Sequence, residues 1–160
     1  MSARILRDIP ALDRDSLLYI AGLFDGEGCI RICRSKKHKG DDKWCYTPDV
    51  KIVLTHEKAI AFIAEKLARP YWHRAHQRSN CKDGYGLQIS DVRGVIAFIE
   101  QIAPFLIVKK EAAETVLRFC RSRTQQRKTK YNIGYTEEEI TLSSTLSILN
   151  RKGLHSEAVI

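Results

Sequence analysis

One stretch constrains this chain more than any other: Ile20-Ala21-Gly22-Leu23-Phe24-Asp25-Gly26-Glu27-Gly28, at the end of an apolar run that starts at Leu17. Leu17, Leu18, Ile20, Leu23 and Phe24 recur at helical spacing, which predicts one buried helix. Gly22 and Gly26 stand four apart and therefore share a face. Each glycine costs a helix about 1 kcal/mol relative to alanine. That cost is offset where a second backbone comes very close along the glycine face. The helix stops at Gly26-Glu27-Gly28 and leaves Asp25 and Glu27 at its carboxyl end. That end of the helix dipole is partly negative, so the acids call for a compensating cation. A plain glycine C-cap with two solvated acids is the alternative that the same residues allow.

The composition narrows the setting. The chain has 160 residues, enough to bury the core of one domain. Its formal net charge of +8 points to a polyanionic partner. Met1 to Asp15 has no continuous apolar region, which argues against a signal peptide, and no apolar run approaches the length of a membrane span. The expectation is a soluble protein with no membrane partner and no small-molecule cofactor. Five cysteines, Cys29, Cys33, Cys45, Cys81 and Cys120, are scattered without a CxxC pair. A zinc site and a disulfide framework are therefore not expected, and reduced thiols fit an organelle or a prokaryotic cytoplasm. The compartment itself is not specified.

After a lead-in over residues 1–14, Asp13 or Asp15 is positioned to cap the glycine-bearing helix. Past Gly28 the period changes to two. Ile30 and Ile32 face inward while Arg31, Cys33 and Ser35 face outward, and a basic tip containing Lys37 closes the hairpin. On the return strand Val50, Ile52 and Leu54 face the core and Asp49, Lys51 and Val53 the opposite surface. Thr55 is the expected N-cap of a helix through Leu67, ended by Pro70. A second hairpin spans roughly 71–90. In its first strand Arg74, His76 and Arg78 are favoured outward, with Tyr71, His73 and Ala75 as the other phase; in its second, Leu87 and Ile89 face in and Gln88 out. Helices follow over about 92–102 and from about Val108, the latter with Ala112, Val116 and Phe119 on one side. Between Thr115 and Thr136 there is no acid, while Arg118, Arg121, Arg123, Arg127, Lys128 and Lys130 accumulate. This stretch reads as a solvated linker or, with preference, as a segment lying against phosphates. Thr136 and Glu139 form a capping box for a last helix carrying Ile140, Leu146 and Leu149.

The fold class is thus α+β, with two helix-and-hairpin passages giving a four-stranded antiparallel sheet, helices on one face and a polar, basic face on the other. Such strands fit the major groove of double-stranded DNA. The core occupies residues 15–122, and 123–160 form a basic segment and helical tail of the same domain.

The nine residues Ile20 to Gly28 resemble the LAGLIDADG motif of homing endonucleases at every position, with conservative changes. Gly26 stands where the motif has alanine, and Glu27 where most members have aspartate. The resemblance implies the order αββαββα and covers about three quarters of the chain. The chain has one copy of the motif, so the resemblance implies a homodimer through the motif helices, using Leu18, Ala21, Gly22, Asp25 and Gly26. It further implies that Glu27 and the main chain at Gly26 hold a divalent cation. Mg2+ is the natural choice, and Mn2+ or Ca2+ could occupy the same site. Catalysis would rest on Glu27, on Lys109 after Pro104-Phe105-Leu106-Ile107-Val108, and on His56 after Thr55.

The implied activity is hydrolysis of one phosphodiester per strand in a long, near-palindromic intron-homing target. DNA contacts fall to Arg31, Cys33, Ser35, Lys37, Asp49, Lys51, Val53, Arg74, His76, Arg78, Gln88, Lys109 and Lys110. A maturase that assists splicing of intron RNA, or a DNA-binding protein of the same fold that does not cut, is the alternative. The intact Asp25, Glu27 and Lys109 favour the enzyme.

Overall fold

A computed structural model describes residues 8–36, 39–40, 43–77, 80–129 and 134–151, with the side chains of 127–129 left aside. Lys37, Arg78, Lys130 and the last nine residues lie outside the described residues, as do the side chains of Arg127 and Lys128. The element order is α1 (Arg14–Glu27), β1 (Gly28–Lys36), β2 (Trp44–Leu54), α2 (Glu57–Lys66), β3 (Trp72–Arg74), β4 (Gly84–Ile89), α3 (Val92–Ile102), a 3-10 turn (Ala103–Phe105), α4 (Lys110–Thr129) and α5 (Glu137–Leu149). The four strands form one antiparallel sheet in the order β1-β2-β4-β3.

Alternation of side chains sets which face is covered. Ile30, Ile32, Val50, Ile52, Leu87 and Ile89 are all buried, and they meet Ile20, Phe24, Ile60, Ile63, Phe98 and Ile99 from α1, α2 and α3. Asp13 caps α1 through its carboxylate, which accepts the Ser16 backbone N–H at 2.9 Å and the Ser16 hydroxyl at 2.7 Å. The cap of α2 differs from the expectation. His56, not Thr55, holds the N-cap position and makes no side-chain capping bond. The helix also ends before Pro70. Ala68 N–H donates to Glu65 O and Arg69 N–H to Ala64 O, a Schellman arrangement that sets Ala68 at φ 50°.

β3 is shorter than the expected strand. Asp83 accounts for this, because its carboxylate pairs with the His73 ring at 2.8 Å and accepts the His76 backbone N–H at 3.1 Å. The loop beyond Arg74 is thereby closed by a side chain and not by ladder hydrogen bonds.

The tail departs from the sequence reading in a second way. Arg118 and Arg121 form exposed ion pairs with Glu138 and Glu100, while Arg123 pairs with Glu139 away from solvent. Arg123 and Glu139 are both buried, and Glu139 also accepts from the Ser122 hydroxyl and completes the Thr136 capping box. Tyr135 donates its hydroxyl to Tyr46 O at 3.1 Å, and the Asn150 amide donates to Ile30 O at 2.7 Å. The tail is locked onto the first hairpin and blocks the outer edge of β1. On α5 it is Leu142 and Leu146 that turn inward, while Ile140 and Leu149 stay exposed.

A left-handed alanine costs about 1 kcal/mol or more, and glycine adopts that conformation freely. Ala68→Gly is therefore expected to raise the urea midpoint by roughly 0.5–1 kcal/mol of stability, with an unchanged m-value. A lower midpoint would contradict the backbone assignment at Ala68.

Candidate functional site

At the sheet end where α1 becomes β1, three segments meet. Glu27 closes α1, and Gly28 opens β1 opposite Ile52. Two residues past Ile52, β2 ends at Leu54 and passes through Thr55 and His56 into α2. Glu27 and His56 therefore stand at the same end of the sheet, and both are exposed. Gly28 lies so close under Phe24 that a Cβ there would come within 2.5 Å of its ring and carbonyl oxygen.

The third segment is fixed by Asp25. Its carboxylate accepts the backbone N–H groups of Ile107 and Val108, both at 3.0 Å, and of Lys109 at 2.8 Å. The Lys109 ammonium in turn donates to the Asp25 main-chain carbonyl. Lys109 precedes α4, which is the wrong end of that helix for a cation. Its charge nevertheless lies at the carboxyl end of α1, where the dipole favours it. This is the cation that the acids of the motif turn require. Burial pushes the Asp25 carboxyl up, but the three backbone N–H groups and the Lys109 charge outweigh it, so the group is held below the ordinary carboxylate range.

The glycine face of α1 is open. Leu18 is 46% exposed, and a methyl group added at Gly22 or Gly26 would meet nothing within 4 Å. Ala21 departs from the expectation, because it is 1% exposed and belongs to the chain's own core one helical step from Gly22. Asp25 is half-buried and engaged in the clamp just described. Beside it, Ile107 and Val108 are 87% and 78% exposed, an apolar pair that the sequence pattern alone did not single out. The signal was present in Pro104-Phe105-Leu106-Ile107-Val108, where an apolar run crosses a helix-breaking proline.

The strand register puts Arg31, Cys33, Ser35, Lys51, Val53, Arg74 and Gln88 on the sheet face away from the helices. Lys51 stands opposite Gln88, and Arg74 opposite Gly84. His76 lies beyond β3 and is exposed, and Lys110, also exposed, opens α4. Asp49 shares the face but is a correction to the set of surface contacts. It is 2% exposed, covered by the side chains it binds. Trp72 was missed and faces the same way, with its ring over Gly86 and the Lys51 ammonium 5.1 Å from the ring centroid. Its parity with Arg74 was the available signal.

No protein-family model matches the sequence, and neither does any curated protein. Solved structures do match. The homing endonuclease I-CvuI, in complex with a DNA target in the presence of magnesium and with the DNA not cleaved, gives a TM-score of 0.67 at 14% identity, over 92% of this chain and 87% of that one. An archaeal intron-encoded homing endonuclease complexed with DNA gives 0.68 at 17% identity, over 91% of each chain. The LAGLIDADG homing endonuclease I-GzeII, in complex with its DNA target, gives 0.59 at 17% identity, over 83% of this chain but 43% of that one. The chain has the LAGLIDADG homing-endonuclease fold.

The turn at the end of α1 offers oxygen donors, the Glu27 carboxylate and the main-chain carbonyl of Gly26, both on exposed residues. Oxygen donors suit hard divalent cations such as Mg2+, Mn2+ and Ca2+. Among the described residues no group of three His, Cys, Asp or Glu side chains converges.

The Asp25 clamp has a defined pH signature. A carboxylate held below its unfolded pKa stabilises the fold fully above that value, about 3.9, and the contribution disappears as pH falls through the folded pKa. Asp25→Asn, which leaves one oxygen for three donors, should lose about 2 kcal/mol at neutral pH. The gap from the parent should narrow as pH drops below about 4 in denaturant titrations. A gap that stays constant down to acid pH would contradict the clamp.

Proposed function

We propose that this protein is a site-specific double-strand DNA endonuclease of the intron-homing class, acting as a homodimer with a divalent metal. The observation that carries the reading is that Lys109 is anchored on Asp25, two residues before Glu27, at the end of a helix whose glycine face the chain leaves open. Alanine at Gly22 or Gly26 would clash with nothing and would raise helix propensity by about 1 kcal/mol. The fold of one chain therefore gives no reason for these glycines. The same helix from a second copy does, because a two-fold contact is self-complementary and two glycine faces allow close approach. Ile107 and Val108 extend the apolar surface next to that face. The pairing brings both Glu27 carboxylates towards one axis, where they repel unless a cation lies between them.

Bound there, a divalent ion would supply an activated water and charge neutralisation at phosphate. Glu27 and the Gly26 carbonyl would hold it. Lys109, released from the Asp25 carbonyl, offsets charge gathering on the scissile phosphate. His56, exposed and free of any capping bond, takes or returns a proton at the attacking water. The polar sheet face enters the major groove, where Arg31, Arg74 and Gln88 read base edges, Ser35 and Lys51 meet phosphate or base, and Trp72 packs beside them. A two-fold protein reads a near-palindromic site and cuts one phosphodiester in each strand.

Glu27→Gln should bind a selected target as the parent does and cut it at least about a hundredfold more slowly in Mg2+. Equal cutting would remove Glu27 from the chemistry. A parent protein that binds the target and never cuts it with Mg2+ or Mn2+ would instead be a non-cleaving binder of this fold. Gly22→Leu should fold, since a Cβ at that position meets nothing within 4 Å, and sediment as a monomer. A dimer of unchanged strength would put the subunit contact elsewhere.

A further inference from the structure

A buried carboxylate lies on the same sheet face as Arg31, Lys51, Arg74 and the amide of Gln88. Asp49 on β2 stands directly opposite Arg31 on β1, and four side-chain donors converge on its two oxygens. Oδ2 accepts from Arg31 Nε at 2.6 Å and from the Cys33 thiol at 3.8 Å. Oδ1 accepts from Gln88 Nε2 at 2.5 Å and from the Ser90 hydroxyl at 3.2 Å. With its oxygens so occupied and 2% exposure, Asp49 does not reach DNA itself. Its effect is on the groups it holds.

Arg31 is tethered by Nε alone. Its side chain is 47% exposed, and among the described residues neither terminal amino group has a partner. The inner edge of the guanidinium is thus fixed on Asp49, and the outer pair of N–H donors is left for a ligand. Two parallel donors at that spacing match O6 and N7 of guanine in the major groove. Gln88 is held in a similar way. A carboxylate accepts only, so the amide nitrogen must face Asp49, which leaves the amide oxygen and the second N–H outward. Burial pushes the Asp49 carboxyl up, but the bonds from Gln88 and Arg31 outweigh this and keep it ionised. A flexible arginine contacts phosphates and bases of any sequence; one held by its inner edge presents a single fork.

We propose that Asp49 is the positioning residue for base readout on this face, holding Arg31 end-on to a guanine in each half-site and fixing the amide orientation of Gln88. The proposal rests on the DNA-binding reading above. It also predicts that two quantities move in opposite senses. Removing the Asp49 charge frees Arg31 and adds one positive charge to the face, so discrimination should fall while attraction to phosphate does not.

The test is selection from a randomised duplex library by the parent, Asp49→Asn and Arg31→Lys, with affinity for random-sequence duplex measured in parallel. The parent should return a site with one strongly preferred guanine per half-site that Arg31→Lys loses. Asp49→Asn should lose about tenfold or more of the preference at that same position. Its affinity for random-sequence DNA should not fall. If Asp49→Asn melts well below the parent, Asp49→Ser, which leaves room for water to satisfy the donors, takes its place with the same expected outcome. An Asp49 variant that selects the parental site unchanged overturns the proposal. So does a uniform loss at every position together with weaker random-sequence binding, since that is the result of a purely structural role. A parent that selects no DNA sequence overturns the DNA-binding reading and the proposal with it.

Discussion

One carboxylate holds the centre of this molecule together. Asp25 accepts three consecutive backbone N–H groups from the turn before α4, while the lysine of that turn reaches back to the carbonyl of Asp25. The carboxyl end of α1 and the turn that leads into α4 are thus joined, with the Lys109 charge placed where the α1 dipole favours it. Everything at the candidate site follows from this joint. Glu27 is delivered two residues past it, Lys109 is part of it, and Ile107 and Val108 are pushed outward because their N–H groups point in.

The same joint explains what was legible in the sequence and what was not. Glycine spacing and the switch to period two identify α1 and β1, because both depend only on neighbours along the chain. The four-stranded sheet follows from two such passages, and the capping box at Thr136 and Glu139 is formed as written. Features decided by distant partners were harder to read. Asp49 alternates outward like a surface residue, and only the approach of Arg31, Gln88 and Ser90 from other strands buries it. Ala21 sits beside Gly22 in the sequence, yet one step of helix rotation turns it into the core. Thr55 has the better capping chemistry, but the chain enters α2 one residue later, at His56.

Charge needed the same correction. The acid-free stretch after Thr115 suggests free cations, but Arg118, Arg121 and Arg123 take acids from α3 and α5. Local composition does not reveal pairing across elements. The net charge of +8 already subtracts these acids, and it does not say where along the chain the cations lie. On the strands Arg74 is exposed, Lys51 is half-exposed and Arg31 is held at one edge.

The account stands on two copies of α1 meeting along Gly22 and Gly26, so that a pair of glutamates shares one axis. The most direct measurement is a crystal structure of the protein on its selected DNA in Ca2+, reading the separation of the two Glu27 side chains. The account predicts both carboxylates within reach of the same bound ions, with the glycine faces in contact. Glutamates on opposite sides of the complex, with the glycine faces open to solvent, would contradict it.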